Sequence, residues 1–196
     1  MKVYLTLFLM LFALALLPAS AQRQGETFTF SLGLQNAKTG ELVSFSAPVR
    51  SSTGEQFRLV INPDSACYCY VVNESPVSDD VAVLYAGALK GGEYWFSPVM
   101  ELEDPAGSES LFVIMSKEEQ KNLYQMVAAY SSNPGSTQKR AVMNEVFRIR
   151  GDVSKFRERP EKPMLMGGVA RGDPEKSQGV EFSGSATYVK TISLEH

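Results

Sequence analysis

The chain has 196 residues, with 22 acidic against 19 basic side chains and a formal charge of −3, so it offers no basic footprint for nucleic acid or an anionic membrane surface. Its only imidazole, His196, is the last residue, which removes the commonest hydrolase mechanisms built on a serine or cysteine beside a histidine. A soft-metal centre needs three or four ligands, and beyond Cys67 and Cys69 the one other candidate is that terminal histidine, so no metal and no cofactor are expected.

The first 21 residues open with Lys2, continue as an apolar run over positions 3–17 and end in Pro18-Ala19-Ser20-Ala21. The run is short for a bilayer span, and Ala19 and Ala21 supply the small-x-small pattern a signal peptidase cuts after. Residues 1–21 are therefore expected to be a signal peptide and residues 22–196 one β-rich domain with a helical insertion. Loss of Lys2 takes the formal charge from −3 to −4. No later run reaches 18 apolar residues, so the processed chain is expected to be periplasmic or secreted, with no membrane span.

From position 26 to 115, short runs rich in Val, Phe, Tyr, Leu and Thr alternate with Gly, Pro, Asn, Asp and Ser, the pattern of antiparallel strands joined by turns. Residues 27–32 alternate with period two, and 41–45 form the expected return strand of a hairpin. Residues 55–61 follow, with Phe57, Leu59 and Ile61 on one face; Asn62-Pro63-Asp64-Ser65 turns the chain into a strand at 66–72. In that strand Cys67 and Cys69 share one face and Tyr68 and Tyr70 the other. Residues two apart lie ~6.6 Å apart along a strand, and a disulfide wants Cβ atoms about 3.8 Å apart. The two cysteines should therefore not bond to each other. Two small apolar side chains facing a core is the plainer reading; an intermolecular disulfide or an oxidant-sensitive thiol stays open. Residues 81–89 and 93–96 flank Gly91-Gly92, a short-hairpin pattern, and 111–115 closes the set.

The period changes at Ser116-Lys117-Glu118-Glu119, which matches a capping box, with Leu123, Met126, Val127 and Tyr130 following at helical spacing. One helix is expected at about 117–130. A second, at about 137–150, is marked by Val142, Met143, Val146 and Phe147 and should stop at Gly151. Residues 157–163 read as a linker, and strands return at 164–169, 179–182 and 186–194. The fold class is thus mainly β: an antiparallel, sandwich-like domain with two inserted α-helices. Leu194-Glu195-His196 has the look of a tag remnant, which the sequence alone leaves undecided.

Residues 54–116 resemble the bacterial family catalogued as domain of unknown function 4384. The resemblance is carried by Gln56-Phe57-Arg58-Leu59-Val60-Ile61, Cys67-Tyr68-Cys69-Tyr70-Val71-Val72, Val81-Ala82-Val83-Leu84-Tyr85, Gly91-Gly92 before Tyr94-Trp95-Phe96, and the stretch from Asp104-Pro105-Ala106-Gly107-Ser108-Glu109 into the apolar strand at 111–114. Tyr85-Ala86-Gly87 departs from the Pro and Asn the family carries there. The resemblance implies an envelope-associated β module with no established catalytic residues.

Other motifs yield to simpler readings. Ser136-Thr137-Gln138-Lys139 has the spacing of a Ser-Lys nucleophile, yet Ser136 sits where a helix N-cap is expected. Glu101 and Glu103 are two apart on one side of a strand, without the opposed geometry of a glycosidase pair. Arg150-Gly151-Asp152 and Arg171-Gly172-Asp173 match adhesion tripeptides, but each also reads as a helix end or a turn. No catalytic residue is assigned, and the chain is read as no enzyme. The aromatic residues Tyr68, Tyr70, Tyr94 and Trp95 are the candidate binding surface, provided the tyrosines are exposed. The function expected is a non-catalytic exported binding module of the bacterial cell envelope, whose partner is an envelope protein or other envelope component. The alternatives are a carboxylate- or Ser-Lys-based envelope hydrolase and a structural subunit of an envelope or secretion assembly.

Overall fold

Runs of β-branched and aromatic residues build two sheets in the computed structural model of the chain, which describes residues 28–153, 162–165, 178–184 and 186–196. In chain order the strands are β1 (Phe28–Asn36), β2 (Leu42–Val43), β3 (Val49–Arg50), β4 (Gln56–Pro63), β5 (Cys67–Ser75), β6 (Asp80–Leu89), β7 (Trp95–Phe96), β8 (Met100–Glu101) and β9 (Ser108–Ser116). Helices α1 (Lys121–Ser132) and α2 (Ser136–Val153) follow, then β10 (Lys162–Leu165), β11 (Gln178–Gly184) and β12 (Thr187–Glu195). The signal-peptide segment, the Arg171-Gly172-Asp173 tripeptide and most of the 157–163 linker lie outside the described residues.

The first sheet runs β10-β11-β1-β4-β7, with β2 paired to β1 and β8 to β4; the second runs β3-β12-β9-β5-β6. All pairs are antiparallel except β12 with β3, where Leu194 lies beside Val49 in parallel. The faces of the two sheets meet over Phe30, Leu32, Leu59, Ile61, Cys69, Leu111 and Ile192, where the Phe30 ring stacks on Phe182 at 5.4 Å and meets Tyr188 edge-on at 5.4 Å. This is the mainly β, sandwich-like arrangement with two helices that the strand pattern implies.

The helices cover the outer face of the second sheet. Leu123 and Val127 of α1 and Val142, Val146 and Ile149 of α2 recur at i, i+4 and i+7, and they bury against Tyr70, Val72, Phe112, Ile114 and Val189. Central strands β5 and β9 are therefore covered on both faces, which is why 111–115 reads as a continuous apolar run rather than an alternating one.

Three local expectations need correction. The first helix begins at Lys121, not 117, because Ser116 stays in the β9 ladder opposite Thr187 and its hydroxyl meets the Ala186 carbonyl and the Thr187 hydroxyl. Gln120 stands at the helix start instead, and its backbone N–H donates to the Tyr70 hydroxyl at 3.0 Å. The second helix runs through Gly151 to Val153; Arg148 pairs with Glu145 at 2.7 Å and with Asp152 at 2.8 Å, i+3 and i+4 contacts that carry the last turn across the glycine. Arg150-Gly151-Asp152 is thus helical, with its aspartate engaged.

Gly91-Gly92 does not close a hairpin either. It passes the chain from β6 in one sheet to β7 in the other, with Gly92 at φ +75° donating to the Pro63 carbonyl. A Cβ on Gly91 would lie 2.7 Å from Ser65 Cα, a backbone atom that has little room to yield. Gly91→Ala is expected to cost about 1–3 kcal/mol in urea unfolding. Gly87→Ala, whose Cβ would find only the Tyr85 hydroxyl at 3.7 Å, should lie within about 0.5 kcal/mol of the parent. Equal midpoints for the two variants would contradict the close approach at Gly91.

The β7–β8 segment hugs β4 despite Pro98, which cannot donate to a ladder. Ser97 supplies the lost bonds: its N–H donates to the Leu59 carbonyl at 3.0 Å and its hydroxyl accepts the Leu59 N–H at 2.9 Å. That clamp sets the edge of the first sheet opposite β6, the edge of the second.

Candidate functional site: an acidic groove between the sheet edges

The four aromatic residues singled out above do not share a surface. Tyr70 is 0% exposed beneath α1, with burial raising its phenol above the ordinary value, so the exposure on which its binding role depended is absent. Tyr68 lies half-buried on the same helix-facing side. Trp95 turns toward the inter-sheet core, its ring 4.9 Å from that of Tyr85. Tyr94 alone is open to solvent at 41%, 6.4 Å from the ring of Phe96, which carries the Arg58 guanidinium over its face at 5.2 Å.

The cysteines are free thiols packed between the sheets. Burial pushes the Cys67 thiol up to about 11 and the Cys69 thiol well above its ordinary value, the opposite of a reactive, thiolate-forming cysteine. Lys139 of the Ser-Lys spacing turns away from Ser136 and pairs with Asp79 at 2.6 Å, which holds the Asp79 carboxyl below its usual value and ties α2 to the turn before β6.

What the strand pattern left unread is a groove of about 310 Å³ where the inter-sheet core opens between β6 and β8. Its carboxylates come from Asp80, Glu101, Glu103, Asp104 and Glu109, and among the described residues no lysine or arginine lines it. Apolar wall is supplied by Ala82, Leu84, Val99 and Met100. The alternation of each strand explains the placement: Asn73 and Glu109 continue the inward faces of β5 and β9 past the last core residues Val71 and Leu111, and the core gives way to polar atoms at its open end.

Glu109 is only 8% exposed. It accepts from the Asn73 amide at 2.8 Å and lies 3.6 Å from the His196 ring, whose other nitrogen is 3.5 Å from the Thr53 hydroxyl. His196 is thus no loose end: its ring is buried and its backbone N–H donates to the Gly107 carbonyl at 2.9 Å. The Asn73 carboxamide oxygen is shut off from solvent and accepts no hydrogen bond from the described residues. Glu101, Glu103 and Asp104 are exposed on the rim, where the Gln56 amide donates to Glu101 at 2.7 Å.

Chemically this is a place for positive charge. The carboxylates are strung along the groove, and among the described residues no three His, Cys, Asp or Glu side chains are placed to hold a metal ion. Glu74, which among the described residues is the one carboxyl that burial holds above its usual value, does not line the groove. Neither a scan against protein-family models nor a search of the curated proteins finds a match to this chain.

Proposed function

We propose that the chain is a non-catalytic binding module exported to the cell envelope, periplasmic or secreted, and that the acidic groove is where it holds an envelope component. The observation that carries this reading is a concave site with five carboxylates, an apolar wall and, among the described residues, no lysine or arginine in its lining. An exported location rests on the 1–21 segment and on the resemblance of residues 54–116 to an envelope-associated family. Among the described residues no helix is long and apolar enough to cross a membrane.

A hydrolase is the competing reading, and one observation favours it: Thr53, His196 and Glu109 stand in line. Their separations of 3.5 and 3.6 Å exceed the roughly 2.6–3.2 Å over which a base takes a proton. Binding accounts for the site with fewer assumptions.

The test is retention from native envelope extract on the immobilised protein and on its E101Q/E103Q/D104N variant. The reading expects one component held by the parent, released by salt and absent from the variant. Identical sets on both columns, or substrate turnover abolished by His196→Ala, would overturn it.

A further inference from the structure

Resting on that reading, we infer that the groove takes a lysine or arginine side chain presented by an extended, basic segment of a partner protein. Four features select this occupant over other cations. The carboxylates are spread along the groove instead of converging, which suits an organic cation that makes several separate hydrogen bonds better than a metal ion needing ligands around one point. Between them lie Ala82, Leu84, Val99 and Met100, an apolar lining that matches the methylene stem behind an ammonium or guanidinium group.

At the inner end Glu109 is buried and already accepts from the Asn73 amide, so its carboxylate sets a negative field that an inserted cation meets without any bond being broken. At the outer end Val99 is 54% exposed, an apolar rim against which the stem of an inserted side chain can rest. The volume of the groove, near the lower limit of small-ligand sites, admits a side chain or two and no folded element.

A simpler mode, addition of a partner strand to β6, would meet an edge whose carbonyls are in part already engaged. The Val81 carbonyl accepts from the Tyr130 hydroxyl at 2.8 Å, the Ala88 carbonyl accepts from the Tyr85 hydroxyl at 2.7 Å, and a register shift interrupts the ladder opposite Val71 and Val72. Recognition through an inserted side chain avoids that edge.

Calorimetric titration of the whole protein with four probes tests the inference: a capped hexapeptide of alternating lysine and glycine, the same peptide with norleucine for lysine, spermidine, and calcium chloride. The lysine peptide should bind at least about tenfold more tightly than the norleucine peptide and than spermidine. It should lose about tenfold or more on E101Q/E103Q/D104N and severalfold on Val99→Ser, while Glu118→Gln, away from the groove, leaves it unchanged. Spermidine or calcium binding as tightly as the lysine peptide sinks the side-chain inference and leaves the groove standing as a general cation site. Lysine-peptide binding that is indifferent to E101Q/E103Q/D104N sinks the groove as the ligand's place, and with it both readings.

Discussion

Tyr70→Ala is expected to lower the free energy of unfolding by roughly 3–5 kcal/mol, the range for emptying a large buried side chain. The ring is one of the largest fully buried groups in the protein and sits between the second sheet and α1, in contact with the layer that Leu123, Val146 and Val189 complete. Its hydroxyl also accepts the Gln120 N–H at the start of α1, where no side chain caps the helix. Tyr70→Phe keeps the ring and deletes only that acceptor, so it should cost about 1–2 kcal/mol through the orphaned N–H. Tyr94→Ala, at an exposed ring, should stay within about 0.5 kcal/mol of the parent. Urea midpoints for the three variants check this order, and a Tyr70→Ala protein within 1 kcal/mol of the parent would mean the helical layer is not docked on this face. Against a typical total of about 5–15 kcal/mol, a loss of 3–5 is large. Any binding defect of Tyr70→Ala therefore reports on folding, whereas Tyr94→Ala is a clean probe of the surface.

The contrast between these tyrosines shows what strand periodicity can and cannot tell. Period two places Phe57, Leu59 and Ile61 on one face of β4, and they do line the inter-sheet core. The same rule splits Cys67 and Cys69 from Tyr68 and Tyr70 correctly, but it is silent on what covers each face. Tyr70 is buried because residues some fifty positions later, at Gln120 and beyond, fold back over it, and nothing within 66–72 announces that.

Local motifs fail for the same reason, by losing to tertiary partners. Ser116 has the sequence of a helix cap yet is held in the sheet by Thr187 and Ala186; Gly91-Gly92 has the sequence of a hairpin yet serves a crossing between sheets, forced by the approach of Ser65. The groove was the least legible part. Glu101 and Glu103 were visible as a pair, and their solvent exposure follows from their position, but Asn73, Asp80 and Glu109 reach them only because β5, β6 and β9 of one sheet end beside β8 of the other. Likewise His196 gains its place beside Glu109 through the pairing of β12 with β9.

Neither cysteine of the native protein should react with a thiol reagent at pH 8, and labelling should be slower by at least about a thousandfold than in the urea-unfolded chain. With both sulfurs packed between sheets, modification must wait for an opening event whose equilibrium constant in stable domains is about 10³–10⁸ against. Burial adds a second barrier, because it disfavours the thiolate that attacks; the Cys67 thiol is pushed up to about 11 and Cys69 well above its ordinary value. The sign of the pH dependence follows. Each thiol titrates higher in the folded chain than in the unfolded one, so its contribution is complete below about pH 8.5 and declines as the unfolded chain ionises above it, by up to about 1.4 kcal/mol per pH unit per thiol. Unfolding midpoints falling between pH 8.5 and 10, together with absent labelling at pH 8, are the expected pair of results. Prompt labelling of the native chain would reopen the intermolecular disulfide and the oxidant-sensitive thiol, which burial otherwise excludes. With the thiols sealed and Lys139 tied to Asp79, none of these three side chains competes with the carboxylates of the groove for a ligand.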